Sequence, residues 1–203
     1  MGSVELTCIK GRQGFMNKLR LFIAIHLPDG LKEQLVKVQD ALRHTGADVK
    51  WVARDYFHVT LKFLGETPDC QVRDIVQAMG RCCIGFSSFK LNLSGLGTFP
   101  PRGKPRVVWA GLGGEKDILL ALQGSLEQEL HKLGFPLEGR PYSPHLTLGR
   151  PRQFGEMDPL VREIEKQKQT LREEWQVTAI HLIQSTLTPQ GPIYTTLATV
   201  PLS

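Results

Sequence analysis

The chain reads as an α+β protein of two lobes, a duplicated fold of two helix-covered, mainly antiparallel sheets with a central cleft. Three observations predict this. A strand-like stretch from Tyr56 to Leu64 carries His58-Val59-Thr60-Leu61, and the same His-x-Thr-Leu tetrad returns as His145-Leu146-Thr147-Leu148. In each copy polar and apolar residues alternate at period two, so His and Thr share one strand face and the apolar pair the other. The order strand, helix, strand, helix, strand in the first half recurs in the second with one more strand, which points to internal duplication. Arg54-Asp55-Tyr56 also precedes the first motif much as Arg140-Pro141-Tyr142 precedes the second.

Residues 1–17 have scattered glycines and no sustained apolar period, and are expected to form a flexible tail, with Met16 a second possible start. Residues 18–203 are expected to form a single bilobal domain. Leu19 to Leu27 alternates as a strand, with Leu19, Leu21, Ile23, Ile25 and Leu27 on one face and Arg20, Phe22, Ala24 and His26 on the other. Asp29 is placed to cap a helix whose stripe is Leu31, Leu35, Val38 and Leu42. Lys50-Trp51-Val52 is a short approach to the first motif strand. Thr67-Pro68 suits the start of a second helix, Thr as N-cap and Pro at the first helical position, with Val72, Ile75, Val76 and Met79 inward.

Phe89, Leu91 and Leu93 mark the next strand, and Val107 to Ala110 the one after the loop that follows. That loop is rich in Gly and Pro and carries Arg102, Lys104 and Arg106, yet it lacks the order of a P-loop. Ile118 to Leu133 is a strongly amphipathic helix, and Met157, Leu160, Val161 and Ile164 mark a fourth. Two strands, Trp175 to Gln184 and Tyr194 to Val200, are expected to close the chain.

Composition narrows the function classes. Lys and Arg outnumber Asp and Glu by 25 to 20, a net charge of +5, which permits a polyanionic partner such as RNA without demanding one. At 203 residues the chain can bury a core without disulfides or metals. No apolar run approaches the roughly 18 residues of a membrane span, and the amino-terminal segment lacks a signal peptide's apolar core. A cytoplasmic protein with no membrane partner is expected. Cys8, Cys70, Cys82 and Cys83 have no CxxC spacing and read as reduced thiols, Cys70 and Cys83 part-buried.

The paired motif suggests acid/base chemistry. Imidazole's unperturbed pKa of about 6.5 lets two histidines divide the roles of base and acid near neutral pH, so His58 and His145 are the candidate catalytic pair. Thr60 and Thr147, two residues on and on the same face, are candidate phosphate-binding residues through their hydroxyls. No Asp, Cys or further His follows at metal-ligand spacing, so no metal and no cofactor are expected. Arg20 and Phe22 share the face of the first strand that could line the cleft, and Lys62 and Arg106 could contact an RNA backbone. His26, His44, His131 and His181 have no paired Thr and read as surface or packing residues, with His26 on the Arg20 face.

Leu19 to Ile25, Trp51-Val52, His58 to Glu66, Gly97 to Pro100, Pro105 to Trp109, Pro144 to Arg150 and Ser185-Thr186-Leu187, with Pro189, Gly191 and Tyr194, resemble the two-histidine (2H) phosphoesterases. Within them the closest likeness is to the RNA 2′,3′-cyclic phosphodiesterases, also called 2′-5′ RNA ligases. The resemblance implies metal-free hydrolysis of a terminal 2′,3′-cyclic phosphate to a 2′-phosphate, with the 3′ oxygen leaving, and in some members reversible 2′-5′ joining. It implies RNA ends such as tRNA halves as partners, a monomer, and a phosphate-binding role for Arg150. Strict alternation from His145 would put Arg150 on the opposite face, so that role requires the strand to end or bulge by Gly149. Two other readings remain: a non-catalytic RNA-end binding module, and another 2H branch acting on linear 2′-5′ oligonucleotides, ADP-ribose cyclic phosphate or U-tailed RNA.

Overall fold

The structure, a computed structural model, describes residues 17–152, 157–168, 171 and 173–203. Of the expected tail, only Asn17 is among them. The elements run β1 (Lys18–His26), α1 (Asp29–Arg43), β2 (Val49–Trp51), β3 (His58–Pro68), α2 (Val72–Cys83), β4 (Phe89–Phe99), β5 (Val107–Gly114), α3 (Lys116–His131), β6 (His145–Pro151), α4 (Asp158–Gln167), β7 (Glu174–Val177), β8 (Ala179–Thr188) and β9 (Gly191–Pro201).

Two antiparallel sheets result, one ordered β3-β1-β8-β9 and the other β2-β6-β5-β4-β7. The first order is matched in the second by β6-β5-β4-β7, with β2 added beyond β6, so β1 corresponds to β5 and β3 to β6. This is the α+β, two-sheet architecture expected from the repeated motif. The halves are exchanged rather than side by side. β4, from the first half, pairs with β5, and β8, from the second, pairs with β1. The first helices exchange too: α3 packs with α2 on the β3-β1-β8-β9 sheet, while α1 packs with α4 on the other.

The helical stripes account for the packing. Leu31, Leu35, Val38 and Leu42 of α1 are all buried, as are Leu119, Leu122, Leu126 and Leu130 of α3. Each such side chain contributes roughly 1.5–3 kcal/mol over leaving it in water. On β1 the alternation holds as expected, with Leu21, Ile23 and Ile25 in the main core. Phe22, Ala24 and Ile183 form a separate small cluster on the opposite face, with Tyr194 against it.

Several boundaries differ from expectation. Asp29 is the first residue of α1 rather than its cap, which is Pro28. Thr67 and Pro68 belong to the end of β3, because Thr67 pairs with Leu19 of β1, and α2 starts only at Val72 after a single 3-10 turn. The expected strand from Trp175 to Gln184 is two strands, broken at Thr178, where the chain leaves β4 and joins β1 in the other sheet. Cys82 and Cys83 are buried and Cys70 is exposed, against the expectation for Cys70. Among the described residues no helix is long and apolar enough to cross a membrane.

Candidate active site

Each motif histidine opens its strand. His58 is the first residue of β3 and His145 the first of β6, and in both the ring Nδ1 meets the main-chain carbonyl two residues earlier, Tyr56 or Ser143, at 2.7 Å. A carbonyl can only accept, so Nδ1 carries the proton in each neutral ring and Nε2 holds the lone pair. Neither Nε2 has a hydrogen-bond partner among the described residues. β3 and β6 lie against each other where the sheets meet, and the hydroxyl of Tyr142, three residues before His145, donates to the carbonyl of Thr60 at 2.8 Å. Burial pushes the Tyr142 hydroxyl pKa up, which keeps it a donor.

Aromatic rings enclose His58. Its centroid lies 4.9 Å from Phe22 and 5.6 Å from Tyr194, and Tyr194 also touches Tyr56 at 4.8 Å. Burial is the main reason that the His58 pKa falls to about 4; the Tyr56 carbonyl opposes the shift and nearby His26 adds to it. The free protein therefore holds His58 neutral at pH 7. His145 has one edge-on neighbour, Phe99, at 5.1 Å.

The surroundings of the two histidines differ at equivalent positions. His58 faces His26 across the β1–β3 pair, and His145 faces Gly111 across β5–β6. Thr60 faces Ala24, whereas Thr147 faces Trp109. Ala24 in turn faces His181, and Trp109 faces Gly97. In one lobe two imidazoles, His26 and His181, stack at 3.9 Å beside a small Ala24. In the other the bulk is in Trp109, and a side chain at Gly97 would collide with its ring. His26 and His181 thus pack, as expected, with partial burial lowering both pKa values, that of His181 to about 4.

A β-bulge follows each threonine. Along β1 the partners step from Thr60 opposite Ala24 to Lys62 opposite Ile23, leaving Leu61 extra, and along β5 they step from Thr147 opposite Trp109 to Gly149 opposite Val108, leaving Leu148 extra. An extra residue inverts the alternation beyond it. Arg150 therefore projects into the cleft despite its odd offset from His145. Gly149, turned the other way, sits under β2: a Cβ there would come within 2.6 Å of Val49 and 2.8 Å of Trp51.

The same inversion corrects the expectation for Lys62. Its side chain turns to the helix side, 4% exposed, where its Nζ meets Glu127 at 2.9 Å and donates to the Pro136 carbonyl at 2.7 Å. It is a buried ion pair and not an RNA contact. Phe63 takes the cleft-side position instead, 63% exposed, with its ring 6.0 Å from Phe22. Arg20 and Phe22 lie on the cleft face as expected. Together with Lys50, Phe63, Arg150, Ser185 and Tyr194 they line a cavity of about 460 Å³, and its Phe22 wall lies 4.9 Å from the His58 ring. Arg106 is exposed at the end of the β4–β5 loop, its amide bonded to the carbonyl of Phe99, whose ring lies 5.1 Å from that of His145; the hydrogen bond is 2.7 Å.

Phe63, Lys50 and the tyrosines stand in or beside the motif stretches, but sequence alone assigned them no site role because their placement depends on the bulge and on strand pairing. Two buried glutamines, Gln39 and Gln123, had a signal: each interrupts an apolar stripe. Gln39 Nε2 donates to the carbonyls of Val52 and Leu148 at 2.8 Å each, and Gln123 Nε2 reaches the Leu61 carbonyl at 3.5 Å. They serve the bulge residues of the two motif strands. Among the described residues no group of three or more His, Cys, Asp or Glu side chains could hold a metal ion.

Comparison with known proteins follows the same two halves. The family model described as LigT like Phosphoesterase matches residues 25–109 and 113–194. A protein of Aeropyrum pernix named RNA 2′,3′-cyclic phosphodiesterase is 36% identical over 164 residues, 81% of this chain and 92% of the relative. TT0787 of Thermus thermophilus superposes with a TM-score of 0.76 at 31% identity, covering 91% of this chain and 98% of that one. LigT of E. coli, solved with 3′-AMP, gives a TM-score of 0.73 at 27% identity, covering 92% and 99%. With both histidine motifs inside the matched segments and the duplicated sheets in common, the chain belongs to the LigT-like phosphoesterase family and is a hydrolase.

Proposed function

We propose that this protein hydrolyses the 2′,3′-cyclic phosphate at RNA 3′ ends, such as those of tRNA halves, to a 2′-phosphate without a metal. The observation that carries this is the matched pair of imidazoles, each with Nδ1 on the carbonyl two residues back and Nε2 unengaged. One Nε2 takes a proton from water as it attacks phosphorus. The other, protonated, gives its proton to the 3′ oxygen as the P–O3′ bond breaks, and the charges of the two rings are exchanged at the end of the turnover. Thr60 and Thr147 donate their hydroxyls to the non-bridging oxygens, and Arg150 adds its positive charge to that grip. Arg20 and Phe22 flank the reacting nucleotide. A 5′-hydroxyl in place of water would close a 2′-5′ linkage by the same proton transfers with the same 3′ oxygen leaving, so a ligase activity is a second use of one site. The relatives' name, RNA 2′,3′-cyclic phosphodiesterase, supports this reading.

The test is incubation with an RNA ending in 2′,3′-cyclic phosphate, in EDTA, with identification of the product isomer. A 2′-phosphate is expected. His58→Ala and His145→Ala should each lower the rate by roughly 10²–10⁴-fold with the fold intact, and the wild-type pH–rate profile should be bell-shaped. A 3′-phosphate product, or near-normal rates for either variant, would overturn the assignment.

A further inference from the structure

The two histidines are brought to the cleft by different means. The approach to His58 holds itself: Arg54–Tyr56 is a 3-10 turn, with the Tyr56 amide on the Ala53 carbonyl at 2.9 Å and the Phe57 amide on the Arg54 carbonyl at 3.3 Å. The Tyr56 carbonyl that orients His58 is therefore fixed by local structure. Residues 132–144, which lead from α3 to His145, contain no such turn in their last part, and residues 141–144 are neither helix nor strand.

That segment is moored instead on β3, the strand that His58 opens. Lys62 Nζ donates to the Pro136 carbonyl at 2.7 Å, and the Glu138 amide donates at 3.3 Å to the Glu127 carboxylate that pairs with the same Lys62. Nearest the site, the Tyr142 hydroxyl donates to the Thr60 carbonyl at 2.8 Å, beside the bulge at Leu61. Ser143, whose carbonyl meets His145 Nδ1, follows Tyr142 directly. Pro141 and Pro144 bracket the two, and each proline fixes its own φ and restricts the residue before it, so little slack separates the Tyr142 ring from the imidazole. The mooring also runs the other way. Val52, on the approach to His58, donates its amide to the Leu148 carbonyl of β6 at 2.9 Å, and Gln39 bridges that carbonyl and the Val52 carbonyl.

We infer that Tyr142 is a positioning residue of the reaction: its hydroxyl, held by the Thr60 carbonyl, places the Ser143 carbonyl and through it sets the tautomer and direction of the His145 ring relative to His58. The inference rests on the two-histidine reading of the chemistry. It makes one hydroxyl outside both motifs a determinant of kcat.

The experiment removes that hydroxyl with Tyr142→Phe, which keeps the ring packed against the core. On an RNA ending in 2′,3′-cyclic phosphate, kcat should fall about tenfold or more with KM within about twofold, because a misdirected imidazole slows proton transfer without loosening the substrate. In a His145→Ala background the same change should alter kcat by less than about twofold, since Tyr142 acts through that ring. Imidazole 15N shifts in mildly alkaline buffer give a readout independent of turnover. Both wild-type rings should carry the proton on Nδ1, and Tyr142→Phe should move His145, and not His58, towards the form protonated on Nε2. A Tyr142→Phe enzyme of wild-type kcat, equal losses in the two backgrounds, or a His145 tautomer that the substitution leaves in place would overturn the inference. If the wild type hydrolyses no cyclic phosphate, the hydrolysis reading falls, and the tautomer shift alone decides whether Tyr142 positions His145.

Discussion

The side-chain amide of Gln39, in the first helix, donates at 2.8 Å to the main-chain carbonyl of Leu148, the extra residue of the second motif strand. A bulge frees main-chain groups from the ladder, and a buried carbonyl without a partner costs stability. The Val52 amide also donates to that carbonyl, at 2.9 Å, and Gln39 is the second donor to it as well as the donor to the Val52 carbonyl, which ties down the bulge that aims Arg150. Replacing Gln39 with Ala should cost about 1–3 kcal/mol in urea unfolding. It should also lower kcat/KM on the cyclic phosphate without moving the pH profile, since neither imidazole is touched. A variant of unchanged kcat/KM would show that the bulge holds Arg150 without its amide.

The phosphate grip proposed for Thr60 and Thr147 can be tested apart from proton transfer. Thr→Val keeps the β-branched shape and removes only the hydroxyl, so either variant should lose about 10²-fold in kcat with the pH optimum in place. Steady-state kinetics across pH checks this, and an unaltered Thr60→Val enzyme would leave that hydroxyl a structural role.

Lys62 and Glu127 make the opposite kind of pair. Removing one partner of a buried ion pair strands the other charge, so Lys62→Met should destabilise the fold by about 3–5 kcal/mol, while the double change with Glu127→Leu should recover most of the loss. Denaturant titration of the three variants measures it. The salt dependence of RNA turnover should stay as in wild type.

Stability should fall on mild acidification. His58 and His181 have pKa values lowered to about 4, and that of His26 is lowered too, mainly by burial in each case. The unfolded chain takes up protons on these groups below about 6.5, the folded protein only nearer 4, so acid favours unfolding. Their stabilising effect is complete above pH 6.5 and is lost progressively towards pH 4. Thermal melts from pH 7.5 to 4.5 should show a falling Tm, and His181→Gln should flatten the decline.

The local patterns were legible where side chains alone decide. Alternation placed Arg20, Phe22 and His26 on one face of β1, and four-three spacing gave the buried stripes of α1 and α3. The twin tetrads marked the histidines because no packing rule calls for His and Thr twice on matching strands. What remained hidden depends on partners far along the chain. Whether Leu61 pairs with β1 or bulges from it is decided by register, and a one-residue slip sends Lys62 inward and Phe63 outward. Thr178 reads as one more strand residue, yet the chain changes sheets there because both β4 and β1 offer open edges. The destination of a helix is equally nonlocal, and nothing in α1 itself says that it will cover the sheet to which β1 does not belong.

That exchange has a mechanical consequence. Many enzymes that bind charged ligands close like jaws about a few linking residues. Here the backbone crosses from sheet to sheet after β1, after β2, after β3 and at Thr178, and each crossing is tied down by strand pairing or by helix burial, so the lobes are laced together. Spreading them would tear several of these stitches at once. The two motif strands are therefore held at a fixed spacing by several independent ties rather than by one hinge.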